Sequence, residues 1–321
     1  MKDETVKPPA LKAGDNVGLV APASPLLDYA DIHRAEQVLE GMGFRVKTGK
    51  FVRRRYGFLA GSDRERAEDL NAMFADREVK GVFGLRGGYG SGRLLELVDW
   101  DLVAENPKVL IGHSDLTALL TAINQRTGLV TFWGPLAGYD LGRHSSRFKT
   151  RWLRKVICGE DETLRLPAGP PPGRRRIRVI SPGRAEGRLT GGNLSIIASL
   201  IGTPFEIDTA GKIFFFEDVD EEPYRIDRML NQLSLAGKLQ AAAGIVVGRC
   251  VNCESSGRMK RSFRLREVLD GWLAPLGIPV LYGFPFGHEP DKITLPVGVR
   301  ARIASQPPSL TLLEAAVTRK P

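Results

Sequence analysis

Asn16 to Ala21 (NVGLVA) is a short apolar run with β-branched members that stops at Pro22, the pattern of a buried strand. From Tyr29 to Gly43 the apolar positions Ile32, Ala35, Leu39 and Met42 fall on one helical face, and Gly43 stands where a helix C-cap glycine belongs. Ser62 to Ala75 (SDRERAEDLNAMFA) predicts a second helix: Ser62 and Glu65 have capping-box spacing, and Ala67, Leu70, Met73 and Phe74 form its buried stripe. Val79 to Leu85, Val109 to Ile111 and Val130 to Trp133 predict further strands. Strands separated by helices imply a mostly parallel, doubly wound sheet.

The pattern weakens between Leu141 and Pro182, and Pro167 to Gly173 (PAGPPPG) is too rich in proline and glycine for a helix interior or a central strand. Residues 141–182 are therefore read as a linker region between an N-terminal half, 1–140, and a C-terminal half, 183–321. In the second half Gly211 to Glu217 (GKIFFFE) is a strongly apolar strand. A helix starts at Pro223, carries Ile226, Met229, Leu230 and Leu233 at helical spacing, and closes at Gly237. Gly244 to Gly248 (GIVVG) predicts a strand, Phe263 to Leu273 a helix, and Pro279 to Tyr282 and Gly298 to Ile303 late strands. The fold class expected is α/β, with a doubly wound N-terminal domain and a smaller mixed α/β C-terminal domain.

At 321 residues and 42 % apolar content the chain can build two ordinary cores, which excludes a disordered protein. No window approaches the ~20 continuous apolar residues of a membrane span, and MKDETVKPPALKAGD has no apolar stretch of the signal-peptide kind. A cytoplasmic protein without membrane partners is expected. Cys158, Cys250 and Cys253 make no disulfide framework, in keeping with a reducing compartment. The net charge of +9 is concentrated in Arg53 to Arg55, Arg143 to Lys155 and Arg174 to Arg178. Such patches attract nucleic acid or anionic substrates, but no nucleic-acid motif or run of interleaved aromatics accompanies them, so they read first as solvated surface.

Ser114 sits where the strand Val109 to Ile111 meets a helix predicted from Leu116 to Arg126, the strand, sharp turn, helix setting of a nucleophile elbow. Backbone N–H groups opening that helix, from Asp115 on, suit a developing oxyanion. The motif is only G-H-S-D-L, without the final glycine of G-x-S-x-G, and a serine here is equally read as an N-cap. Of the four histidines, His33 lies on an amphipathic helix and His144 in the basic linker. His113 adjoins Ser114 and points away from it as neighbours at a sharp turn do. His288 falls in Gly283 to Pro290 (GFPFGHEP), a loop of the kind that presents catalytic side chains, though a surface histidine fits it too.

A histidine base needs a carboxylate to fix its tautomer and balance its charge, and Glu217, at the end of its apolar strand, meets that need. The alternative is an ion pair with Arg225. Arg86 to Gly92 (RGGYGSG) lacks the full G-x-G-x-x-G fingerprint of a dinucleotide site, but its glycines let backbone N–H groups approach a reacting atom. Arg86 is the candidate partner for a substrate carboxylate, or else a surface arginine. Cys250 and Cys253 form a C-x-x-C without a second pair or a nearby histidine, so a structural role is read for them before a metal or redox one.

Taken together, these residues resemble the serine LD-carboxypeptidase family, which includes muramoyltetrapeptide carboxypeptidases and microcin C immunity hydrolases. The resemblance runs through VGLVAPASP from Val17, GFLAGSDRERAEDL from Gly57, RGGYGSGRLL from Arg86, IGHSDLTALL from Ile111, GRLTGGNLSII from Gly187, FFFEDVDEEPYRIDRML from Phe214 and GHEPDKITLPVGVRARI from Gly287. It implies Ser114 as nucleophile, His288 as base, Glu217 as its orienter, and the backbone at Gly88 and Asp115 as oxyanion donors. It further implies a cleft site between the two halves, a homodimer, no metal or organic cofactor, and release of terminal D-alanine from murein tetrapeptide in peptidoglycan recycling. His113 departs from the family, where an aromatic residue is more usual. The competing expectations are an immunity-type hydrolase of aminoacyl-adenylate amides, with Trp133, Trp152 or Tyr139 as a platform for the base, and a nucleotide- or sugar-binding module without chemistry.

Overall fold

The computed structural model describes residues 5–166, 176–257 and 261–319. The chain divides into two compact units, one made of the chain up to Glu162 with Pro290–Gly298 and the segment from Ala315, the other of Thr163–Glu289 and Val299–Glu314. The proline- and glycine-rich stretch 167–173, and Arg174 and Arg175 of the third basic cluster, lie outside the described residues.

In the first unit, strands and helices alternate: β1 (Asn16–Val20), α1 (Ala30–Gly41), β2 (Arg45–Thr48), α2 (Asp63–Ala75), β3 (Val79–Gly84), α3 (Trp100–Glu105), β4 (Val109–Gly112), α4 (Thr117–Thr127), β5 (Thr131–Trp133) and α5 (Arg147–Ile157). The start of α2 follows from its capping box: Ser62 Oγ accepts from Glu65 N–H and Glu65 Oε2 from Ser62 N–H, an arrangement worth about 1 kcal/mol. Along the sheet the strands run β2-β1-β3-β4-β5, all parallel. Sequence neighbours on either side of β1 run outward in opposite directions, so the loops leaving the carboxyl ends of β1 and β3 flank a topological switch point, where such sheets bind ligands. Those loops carry Ser24 and the glycine segment.

Helix α5 occupies part of the stretch read as linker. Its apolar positions Leu153, Val156 and Ile157 are buried at helical spacing, but the basic residues between them mask that periodicity in the sequence. Lys149, counted there with the basic surface, is buried as well.

The second unit holds β6 (Leu164–Leu166), β7 (Arg178–Ser181), β8 (Arg184–Asn193), α6 (Leu194–Leu200), β9 (Ile213–Glu217), α7 (Pro223–Leu235), α8 (Lys238–Ala241), β10 (Gly244–Arg249), α9 (Leu265–Leu273) and β11 (Val280–Gly287). The chain then returns to the first unit, where β12 (Leu295–Val297) pairs antiparallel with β5 as a sixth strand, before β13 (Arg300–Ser305) and β14 (Pro308–Leu312) complete the second. The second sheet has eight strands in the order β6-β14-β13-β8-β9-β10-β11-β7, parallel from β8 to β11 and antiparallel outside that centre. Strand β9 is buried on both faces. Phe214 and Phe216 join a core with Leu230, Leu233, Leu269 and Val247, and Phe215 meets Phe286 edge-on at 5.7 Å. Full burial of each such ring is worth roughly 1.5–3 kcal/mol, which anchors the strand that ends in Glu217.

Candidate active site

Ser114 follows β4 with φ 60°, a left-handed conformation that is uncommon for a residue with a side chain and stores local strain. His113 before it is extended, and the 3₁₀ turn Ser114–Leu116 leads into α4. The serine hydroxyl does not cap that helix; the turn presents it at the strand-to-helix junction instead. A Cβ at Gly87 would stand 2.9 Å from Ser114 Cβ and 3.0 Å from its Oγ, so only glycine allows the loop after β3 to lie against the serine. Gly88 follows with φ 104°.

The same turn is bolted to the glycine loop by Asp115. Its carboxylate accepts from Gly90 N–H at 3.2 Å and Ser91 N–H at 2.7 Å, and Ser91 Oγ donates to the Asp115 carbonyl. Burial pushes the Asp115 carboxyl up, against the pull of these hydrogen bonds. Arg66, 1 % exposed, donates to the carbonyls of Pro22 and Gly90 and so ties the loops after β1 and β3 together. Arg86 is half-buried and donates to the Pro25 carbonyl.

In the second unit His288 directly follows β11, whose pairing with β10 continues to Gly287 through register shifts at Gly248 and Arg249. The sequence reading treats Gly283 to Pro290 as a loop; the structure absorbs Gly283 and Gly287, both at positive φ, as irregularities within the strand. A Cβ at Gly287 would meet Glu217 Oε2 at 2.9 Å. That close approach lets His288 Nδ1 donate to Glu217 Oε2 at 2.8 Å. Glu217 is fully buried, and Asn193, its cross-strand partner on β8, donates to Oε1 at 3.2 Å. Arg225, the alternative partner, pairs with Glu221 at 3.4 Å instead. Glu289 pairs with Arg249 at 2.8 Å beside the histidine.

Asp218 is the neighbour that sequence reasoning left without a role. Its oxygens accept from Ser195 N–H and Oγ–H, Asn193 Nδ2–H and Val219 N–H. Burial first, and the charge of Glu217 second, push its carboxyl up to about 6. The native state therefore keeps this proton between about pH 4 and 6, where the unfolded chain releases it, and stability falls as pH rises through that window. The cost is about 3 kcal/mol. Asp218→Asn should gain on the wild type by that amount between pH 4 and pH 7 in denaturant titrations; a pH-independent gap would contradict the assignment.

Other candidates lie elsewhere. His33 is exposed, 2.9 Å from Glu36, and His144 is exposed against Tyr139. Trp133 is fully buried with Nε1 donating to Thr117 Oγ1, so it cannot serve as a substrate platform; Trp152 lies near Phe148 on α5, and Tyr139 is 40 % exposed. Cys250 and Cys253 are free thiols. No helix among the described residues is long and apolar enough to cross a membrane.

A mostly parallel sheet with Ser114 at positive φ after β4, and a second unit in which fully buried Glu217 meets His288, make up a two-unit α/β protein. Residues 17–134 match the N-terminal domain of the LD-carboxypeptidase family and residues 186–303 its C-terminal domain. The chain belongs to that family. It is 46 % identical over 295 residues to the probable murein peptide carboxypeptidase of Bacillus subtilis (strain 168), covering 92 % of this chain and 90 % of the relative. The solved muramoyltetrapeptide carboxypeptidase from Oxalobacter formigenes superposes with a TM-score of 0.80 at 32 % identity, over 92 % of this chain and 97 % of that one. The microcin C7 self-immunity protein MccF superposes with a TM-score of 0.88 at 26 % identity, over 98 % of this chain and 100 % of that one.

Proposed function

We propose that this protein is a serine LD-carboxypeptidase that releases terminal D-alanine from murein tetrapeptide, with Ser114, His288 and Glu217 as its catalytic triad. The observation that carries the reading is the hydrogen bond of 2.8 Å between fully buried Glu217 and half-buried His288. A carboxylate only accepts, so Nδ1 bears the proton and Nε2 is the nitrogen for chemistry. Ser114 Oγ attacks the peptide carbonyl while His288 Nε2 takes its proton. The oxyanion is met by the N–H groups of Gly88 and Asp115, and the imidazolium is balanced by Glu217. Collapse of the adduct breaks the C–N bond as Nε2–H protonates the leaving amine, and water, deprotonated by the same nitrogen, releases the acyl group.

The murein substrate is supported by the similarity to two carboxypeptidases named for murein or muramoyl peptides. The immunity-type alternative is favoured by the MccF superposition but loses Trp133 as a base platform. This reading keeps the protein in the cytoplasm, as a homodimer, where recycled wall fragments would reach it. Incubation with a panel of LD- and DL-linked muropeptides, followed by mass analysis, should show loss of one D-alanine from the LD-linked tetrapeptide alone. Intact tetrapeptide with cleavage of an aminoacyl-adenylate amide would favour the immunity-type reading, and equal cleavage of an all-L peptide would remove the stereochemical claim.

Arg86 is proposed to grip the substrate's terminal carboxylate. Arg86→Ala should raise KM about tenfold or more with kcat little changed, because an interaction equal in ground and transition states affects binding and not the chemical step. Steady-state kinetics in which kcat carries the loss would reassign it.

A further inference from the structure

Behind the residue that precedes Ser114 lies a group of ionisable side chains that the reaction above does not use. His113, Asp140, Lys149 and Lys292 are all within the first unit, and none is more than 3 % exposed. Lys292 Nζ donates to Asp140 Oδ1 at 2.7 Å, and His113 Nε2 stands 2.7 Å from Asp140 Oδ2 and 3.0 Å from Lys292 Nζ. Lys149 Nζ donates to the Asp140 carbonyl at 2.8 Å. Burial alone would push the Asp140 carboxyl up, but Lys292 above all, then His113 and Lys149, hold it well below the usual carboxylate range. The four groups are thus a charged knot in a place where apolar residues of similar volume would cost less to bury.

The knot is linked to the nucleophile turn through His113 and to the glycine loop through the turn that carries Asp140. His113 is the residue before the nucleophile. Asp140 belongs to the turn Ala137–Gly142, whose Gly138 and Tyr139 N–H groups both donate to the Leu85 carbonyl at 3.1 Å, one residue before Arg86 and the glycine loop. Asp140 Oδ2 also accepts from Leu136 N–H at 2.9 Å, which fixes the start of that turn. Lys292 stands four residues beyond His288, on the segment that re-enters the first unit after the histidine.

We infer that His113, Asp140 and Lys292 are positioning residues for the hydrolysis, joining the nucleophile turn, the glycine loop and the chain that leaves His288 through one buried set of charge-assisted hydrogen bonds. The inference rests on the Ser114–His288–Glu217 reading. Lys292 fixes Asp140, Asp140 holds the turn whose N–H groups grip the residue before the glycine loop, and both meet His113, the residue before Ser114. None of the three touches substrate. Their contribution is to hold the nucleophile turn against the glycine loop within the first unit, and small misplacements of reacting groups are costly in rate.

Three variants of the full chain test this: Lys292→Met, which keeps the stem and removes the charge; Asp140→Asn with Lys292→Met, which removes the carboxylate and the ammonium paired with it together should the single variant fold poorly; and Lys292→Arg, which keeps charge and donors. The readouts are the rate at which a fluorophosphonate probe labels Ser114, and kcat and KM for release of the terminal amino acid. Labelling and kcat should fall about 10²-fold in the first two variants, with KM within about twofold, and Lys292→Arg should recover at least about tenfold of the loss. A folded neutral pair that labels and turns over at the wild-type rate, whatever its thermal midpoint, would overturn the inference. So would an equal loss in Lys292→Arg and Lys292→Met. Wild-type protein that the probe does not label at Ser114 would count instead against the triad, which separates the two failures.

Discussion

Ser114→Ala, which removes the proposed nucleophile, should lower turnover by on the order of 10³-fold or more while the protein stays folded, because only oxyanion stabilisation and binding would remain. The structure gives this variant a clean interpretation. Ser114 carries positive φ and does not cap α4, so alanine inherits the same backbone strain and removes little beyond the hydroxyl. The loop at Gly87 packs against Cβ as well as Oγ, and that Cβ is retained. Release of the terminal amino acid, followed by mass analysis, reads the effect, with circular dichroism as the check on folding. A variant with near-native rates would mean that the serine only shapes the turn.

Glu217→Gln should lower kcat by on the order of 10³-fold and change KM far less. A glutamine can still accept from His288 Nδ1–H through its amide oxygen, but it cannot balance the imidazolium formed in the transition state, and it offers an N–H that invites the wrong tautomer. Asn193 Nδ2–H already faces Oε1, so an amide at 217 that turns its NH₂ toward Asn193 meets donor with donor, and the opposite orientation meets His288 with a donor. Either arrangement disrupts one contact. The Asp218 carboxyl should fall from its raised value in this variant, since the charge of Glu217 is one of its causes. Kinetics with an unchanged kcat would make Glu217 structural and move the search to Asp218 and Glu222.

Local regularities told a good deal in advance. The Ser62–Glu65 capping box, Pro223 at the first position of α7, and the unbroken apolar run of β9 are written in neighbouring residues, and each forms the element its pattern implies. The α/β class follows because the alternation of periods near two and near 3.6 repeats along the chain. Ser114 and Glu217 were legible as residues at strand ends, and His288 as a residue of a loop after a strand. Spacing alone left them with competing roles as a cap, an ion-pair partner and a surface histidine.

Only the tertiary structure supplied the neighbours of those residues. Register between β8 and β9 sets Asn193 opposite Glu217, and the bare backbone of Gly287 admits the glutamate beside His288. The return of Pro290–Gly298 to the first unit, with β12 on the edge of β5, brings Lys292 to His113 and Asp140 across 179 and 152 residues of sequence separation. Helix α5 hid behind its basic residues, and the end of β11 behind its glycines. The reason is the same in each case: periodicity and caps are interactions among residues a few positions apart, whereas the partners of a buried charge are chosen by which distant strands pair and in what register.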